Sequence, residues 1–216
     1  MLISAIIPAY NEEKTIGNVL STLSSMDFID EIIVVSDGSC DRTVSIAKRY
    51  NVRIIELSSN QGKSNAVLKG VSSTKADIIL MLDADLIGLT REHVISLIEP
   101  IINDNVDMTI GIFKKGRGVT DFAQKIAPFL SGQRAIKREV FDKLKKHRVK
   151  DYGIEMALTL MAQEENMNVK SVYLKDMTHV MKEEKHGFLH GFLLRLKMYL
   201  DIIFIFLAIK LKLEVL

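Results

Sequence analysis

Asp77-Ile78-Ile79-Leu80-Met81-Leu82-Asp83-Ala84-Asp85 is the stretch on which the fold turns. Residues 77–82 are almost continuously apolar, too short for a membrane span and right for a strand buried on both faces. Such a strand belongs in a mainly parallel sheet with helices on either side. It runs directly into two carboxylates separated by one residue. In an extended segment Asp83 and Asp85 point to the same side.

Upstream, the chain repeats one unit. Residues 3–8 predict a strand. Asn11 is placed to cap a helix in which Ile16, Val19, Leu20 and Leu23 recur at helical spacing. Residues 31–35 predict a second strand, and Asp41 caps a helix carrying Val44, Ala47 and Tyr50. Residues 52–57 form a third strand, and the polar turn 58–63 leads to a helix with Val67, Leu68 and Val71. This alternation is the signature of βαβ units and an α/β fold.

Downstream the pattern is less regular. Strands are expected at 106–113 and 169–174, a helix at 154–163, and a short strand or loop at 131–137. No repeat or linker marks an internal boundary. The expected organisation is one domain over residues 1–187 and an apolar C-terminal helix over 188–216.

Composition narrows the class. The chain has 216 residues, 48% of them hydrophobic and 26% charged, the balance of a folded domain. A net charge of +2 gives no electrostatic footprint for nucleic acid, and no aromatic-plus-basic ladder appears. Cys40 is the only cysteine, so no internal disulfide can form, and a cytoplasmic setting is expected. The run at 202–209 is too short to span a bilayer. It suits a core or homodimer helix, or an interfacial helix with Arg195, Lys197, Lys210 and Lys212 at the inner membrane face. Residues 137–150 hold seven Lys or Arg against two acids, a solvated face or a contact for anionic lipid.

In an open parallel sheet, ligands bind beyond the carboxyl ends of the strands. Three polar clusters fall there: Pro8-Ala9-Tyr10-Asn11-Glu12-Glu13, Ser36-Asp37-Gly38-Ser39 and Asp83-Ala84-Asp85. Carboxylates crowded on one rim repel unless a cation joins them, and a divalent ion held by one or two carboxylates completes its shell with substrate phosphates and water. Lys63 opens a helix and lacks the Walker spacing, so it reads as a single phosphate contact or as an ordinary solvated lysine. His179 reads either as a surface residue after a strand or as a neutral imidazole suited to an Mn-like ion. Glu155 stands near a helix start, where it serves the helix dipole or acts on an acceptor or sugar. His93, His147, His186 and His190 read as surface residues. Arg117 and Arg134 supply positive charge for phosphate or carboxylate, and Gly116 and Gly118 add backbone freedom beside them.

The stretches P-A-Y-N-E-E, S-D-G-S-C-D-R-T, G-K-S-N-A and D-A-D, in this order and spacing, resemble family 2 glycosyltransferases of the GT-A fold. The resemblance implies that Pro8, Ala9, Tyr10 and Glu12 line a nucleoside pocket, with Glu12 on the ribose. It places Ser36 where the family usually has an Asp on the base, with Asp37 and Lys63 near base and phosphates. Asp83 and Ala84 would meet the donor, and Asp85 the metal.

The later stretches R-G-V-T-D-F, S-G-Q-R-A-I-K-R, D-Y-G-I-E and M-T-H resemble the glucosyl- and mannosyl-3-phosphoglycerate synthases. That likeness makes His179 a metal ligand, sets Glu155 at the sugar or acceptor, and brings Arg117, Gly118, Thr120 and Arg134 to an acceptor phosphate. The family's Arg stands two positions before the Thr, where this chain has Gly118.

The resulting expectation is a metal-dependent transferase. It would use Mg or Mn and a UDP- or GDP-sugar donor, with Asp83 and Glu155 as catalytic carboxylates. The acceptor would be 3-phosphoglycerate or a similar phosphorylated acid, or a polyprenyl phosphate at the membrane surface. A sugar-1-phosphate nucleotidyltransferase would need a glycine-rich loop after the first strand, which residues 8–13 lack. A non-catalytic nucleotide-sugar-binding protein would bind donor without hydrolysing it.

Overall fold

The elements run in chain order as β1 (Ile3–Ala9), α1 (Ile16–Ser24), β2 (Glu31–Ser36), α2 (Thr43–Ala47), β3 (Arg53–Glu56), α3 (Lys63–Ser72), β4 (Ile78–Met81), β5 (Leu86–Ile87), α4 (Arg91–Asn103), β6 (Met108–Lys114), β7 (Arg134–Lys137), α5 (Arg138–Leu144), α6 (Ile154–Glu164), β8 (Val169–Lys175) and β9 (Thr178–His179). They come from a computed structural model that describes residues 1–114, 131–144 and 153–179. Met1–Thr178 forms one compact unit, and His179–Leu216 falls in a second. The expected C-terminal helix at 188–216 lies outside the described residues, as do His147, His186 and His190.

Seven strands form one sheet in the order β3-β2-β1-β4-β7-β6-β8, and β5 pairs with β9. β4 sits at the centre, as its continuous apolar run requires. Alternate residues serve the two faces. Ile78 and Leu80 join Ile7, Val34 and the buried stripes of α1 and α4. Ile79 and Met81 join Ile6, Ile33 and the stripes of α3, α5 and α6. A fully buried Ile, Leu or Met contributes about 1.5–3 kcal/mol, so a strand made wholly of such residues anchors both layers.

Strands β3, β2, β1 and β4 are mutually parallel. The expected α/β fold with a mainly parallel sheet is what the chain adopts. The 131–137 stretch, which the sequence left between strand and loop, forms β7 and runs against both β4 and β6.

Two helices were not expected from the sequence. α4 buries Val94, Leu97, Ile98 and Ile101 at helical spacing, with Pro100 inside it. α5 takes up half of the basic run; it buries Val140, Phe141 and Leu144 and leaves Glu139, Asp142 and Lys143 exposed as a solvated face.

Two capping assignments shift. Asn11 is not an N-cap: it lies in a loop at φ 55, and its side-chain oxygen accepts from Cys40 N–H at 2.8 Å. Asp41 accepts from Thr43 N–H at 2.9 Å, one residue before the assigned cap Arg42. His93 is buried rather than on the surface. Its Nδ1 accepts from Thr90 N–H at 3.2 Å, which leaves Nε2–H to donate to Lys175 O at 2.9 Å. That residue pins the start of α4 to the end of β8.

Candidate functional site

The site grows from the carboxyl ends of β1, β2 and β4. Parallel register sets Ala9 beside Ser36, and Asp37 N–H donates to Ala9 O at 2.8 Å. Pro8 and Ala9 close β1, with Ala9 buried and Tyr10 exposed just beyond it. Glu12 follows in the same loop. Its backbone N–H donates to Thr43 Oγ1 at 2.7 Å, and its carboxylate accepts from Thr15 Oγ1 at 3.2 Å. The neighbouring Glu13 pairs with Arg42 at 3.0 Å, and Arg42 holds its carboxyl below the usual range. These bonds lock the loop after β1 to the loop after β2.

Ser36 and Asp37 turn inward. Ser36 is buried and its hydroxyl accepts from Ser39 N–H at 3.3 Å. Asp37 is 3% exposed, and its two oxygens accept from Gln61 N–H at 2.8 Å and Gly62 N–H at 2.9 Å. Gly38 permits this closure. It sits at φ 72, and a Cβ there would lie 2.6 Å from the Ser59 carbonyl carbon. Asp37 therefore holds the turn that launches α3, and α3 begins with Lys63.

Lys63 reaches across the rim. Its ammonium lies 2.5 Å from Asp83 Oδ1 and 2.6 Å from Glu155 Oε1. Burial disfavours its charge, but the two carboxylates outweigh that and hold its pKa well above the usual lysine range. Asp83 follows β4, and Glu155 lies in the first turn of α6. The two helix starts are also tied directly, Ile154 N–H donating to Ser64 Oγ at 3.0 Å. Ala84 is buried behind the rim, and Asp85 is half-buried two residues beyond Asp83.

Two further residues complete the cluster, and neither was picked out from the sequence. Gln133 donates from Nε2 to Asp83 Oδ2 at 3.1 Å and accepts from Asp83 N–H at Oε1, also 3.1 Å. Gly132 sits against the ion pair, with no room for a side chain: a Cβ would lie 2.6 Å from Lys63 Nζ and 2.7 Å from Asp83 Oδ2. The motif S-G-Q-R was visible, but its Gly and Gln gain meaning only beside Asp83.

Arg134 departs from the acceptor contact expected of it. It is fully buried, with Nε on Ser131 O at 2.9 Å and a terminal nitrogen on Thr159 Oγ1 at 3.1 Å. Burial lowers its pKa to about 10, and Glu155 opposes the fall. Its guanidinium thus braces the sheet beneath α6 rather than facing solvent. Arg117, Gly118 and Thr120 lie outside the described residues.

Among the described residues, no three His, Cys, Asp or Glu side chains gather as a metal cage. The His179 side chain lies outside the described residues, although its backbone closes β9. The chain before it is fixed next to the Asp85 loop, since a Cβ on Gly88 would lie 2.9 Å from Asp176 O.

The family model for glycosyl transferase family 2 matches residues 4–162, from the first strand into the helix that bears Glu155. The chain belongs to glycosyl transferase family 2. Dolichyl-phosphate beta-glucosyltransferase of Drosophila melanogaster is 39% identical over 105 residues, covering 41% of this chain and 32% of that protein. Glucosyl-3-phosphoglycerate synthase of Mycolicibacterium smegmatis (strain ATCC 700084 / mc(2)155) is 29% identical over 123 residues, covering 52% of this chain and 41% of that protein. The chain spans about a third of the length of the first curated relatives it matches.

In three dimensions the chain is similar to glucosyl-3-phosphoglycerate synthase from Mycobacterium tuberculosis, solved with Mn2+, uridine diphosphate and phosphoglyceric acid. The TM-score is 0.72 at 27% identity, covering 83% of this chain and 70% of that one. The same enzyme has also been solved with Mg2+ and uridine diphosphate. The seven-stranded sheet with flanking helices is the GT-A architecture of this family. Among the described residues of this family 2 chain, no helix is long and apolar enough to cross a membrane.

Proposed function

We propose that the chain is a metal-dependent hexosyltransferase that moves a sugar from a nucleotide diphosphate donor, UDP-glucose first, to a phosphorylated acceptor. The observation that carries this reading is the convergence of Lys63, Asp83 and Glu155 at the sheet's carboxyl rim. That rim is where open α/β sheets bind ligands. Support comes from the family match and from the likeness to a synthase solved with Mn2+, uridine diphosphate and phosphoglyceric acid.

Pro8, Ala9, Tyr10 and Glu12 form the nucleoside side of the pocket, and Asp37 holds the 61–62 turn that presents Lys63. The Lys63 ammonium screens Asp83 from Glu155 and offers a cation to the donor's phosphates. Asp83 faces the donor sugar, and Glu155 orients sugar or acceptor. An Mg or Mn ion fits a carboxylate-rich rim; Asp85 and His179 would hold it, and it supplies a Lewis acid for the departing diphosphate. Arg117, Gly118 and Thr120 are proposed for the acceptor phosphate.

A second reading keeps the donor site and exchanges the acceptor for a polyprenyl phosphate. The dolichyl-phosphate enzyme among the relatives and the apolar run at 202–209 favour it. Both acceptors present a phosphate, and they differ in what carries it.

Thermal-shift titration with UDP- and GDP-sugars, with and without Mn2+, tests the donor site. Stabilisation should need the metal and vanish in Asp85→Ala. Metal-independent stabilisation that survives this substitution would defeat the reading. Product formation with 3-phosphoglycerate, set against polyprenyl phosphate in detergent, separates the acceptors.

A further inference from the structure

Asp83 has two carboxylate oxygens and one backbone N–H, and the fold spends all three on named partners. Oδ1 meets the Lys63 ammonium at 2.5 Å. Oδ2 accepts from Gln133 Nε2, and the Asp83 N–H donates to Gln133 Oε1, each at 3.1 Å. Gln133 thus grips Asp83 twice, once by the backbone and once by the carboxylate. A side-chain amide can do this in one orientation only, because its oxygen must face the N–H and its nitrogen the carboxylate.

Gln133 is itself held by its surroundings. It is 2% exposed, and its backbone is held at both polar atoms: Gly111 N–H donates to its carbonyl at 2.8 Å, and its own N–H donates to Ser131 Oγ at 3.3 Å. The Ser131 hydroxyl in turn donates to Gly111 O at 2.6 Å. Glycine at 132 lets Lys63 and the carboxylate close over this corner. A buried amide with both ends used has no other polar task in the surrounding packing.

We infer that Gln133 is a positioning residue for Asp83: it fixes the carboxylate plane so that Oδ1 faces Lys63 and the acidic rim. This rests on the reading of Asp83 as a donor-side residue. Packing alone would be served equally by an apolar side chain of the same length. The hydrogen-bond pattern argues otherwise, since the loss of Gln133 leaves a part-buried N–H without this acceptor and frees a carboxylate to rotate about its own bond.

Two substitutions in the full chain separate the two bonds. Gln133→Leu removes both. Gln133→Glu keeps an acceptor for the Asp83 N–H but sets an anion against Oδ2. Hydrogen exchange at the Asp83 amide should speed up about tenfold or more in Gln133→Leu and return toward the original rate in Gln133→Glu. Donor kcat/KM with UDP-glucose and Mn2+ should fall about tenfold in both, because neither restores the bond to Oδ2.

Unchanged amide exchange in Gln133→Leu overturns the inference, as does a Gln133→Leu enzyme within about twofold of the original kcat/KM. Failure of Gln133→Glu to recover amide protection also overturns it, since that result marks a general packing loss. Should the unsubstituted chain turn over no nucleotide sugar, the functional reading fails, while the amide measurement still judges the contact.

Discussion

Asp83 is the residue whose surroundings explain most about the site. Its carboxylate is shared between a lysine from the start of α3 and an amide from the segment before β7, so its direction is set from two sides. The lack of a side chain at Gly132 is what admits the lysine. Gly132→Ala would put a methyl carbon 2.6 Å from Lys63 Nζ and 2.8 Å from Asp83 Oδ1. The lysine can retreat, but Asp83 is pinned by Gln133. We expect a stability loss of about 1–3 kcal/mol from the overpacking and a fall in kcat/KM of about tenfold or more. Thermal melts and donor kinetics on the one variant check both. Unchanged kinetics would mean that the lysine moves aside without consequence.

Also at this scale, Arg134 shows how far a motif can be trusted. Its charge suggested an anion contact, yet the side chain is fully buried, with Ser131, Met108 and Thr159 around its guanidinium. A guanidinium can serve either purpose, and burial decides between them.

Among elements, the hinge between β6, β7 and β8 depends on Asp107. Its carboxylate accepts from Lys137 Nζ at 2.9 Å, at the end of β7, and from Asn168 N–H at 2.9 Å, just before β8. Burial pushes its pKa up, but the hydrogen bonds from Lys137 and Asn168 outweigh burial and leave it below the ordinary value of 3.8. A depressed carboxyl pKa stabilises the fold above the unfolded value, and that stability drains away as pH falls through the folded one. Asp107→Asn should therefore cost about 1–2 kcal/mol at neutral pH. The gap should close below pH 3.8. Denaturant melts near pH 7 and near pH 3 measure it; a gap that persists in acid would show that charge is not the cause.

The α4 start is a second junction of this kind. Thr90 and His93 form a reciprocal cap, and the far side of the His93 ring holds Lys175 O. A polar residue that looked like surface is one of the ties between a helix and the sheet's edge.

For the whole molecule, position within the sheet should order local stability. β1 and β4 are central and flanked by buried stripes on both faces, whereas β3 and β8 are edges with exposed residues. Native-state hydrogen exchange should find the slowest amides in β1 and β4 and faster ones in β3 and β8. Equal protection across all strands would show that Met1–Thr178 opens only as one unit.

What the sequence determined by itself is the framework. Apolar period and continuity are written in neighbouring residues, so residues 77–82 declared a central strand and the acidic rim declared its carboxyl end. Strands β1 to β4, β6 and β8 and the helices carrying Lys63 and Glu155 were legible that way, while the motifs at the strand ends carried the family resemblance. Tertiary structure alone decided which polar side chains meet. Gln133 acts on Asp83 from 50 residues away, Arg134 and His93 are buried by segments distant in the chain, and β7 reverses against β4. A polar residue's role depends on its partner and its access to water, and both are supplied by packing rather than by the residues beside it.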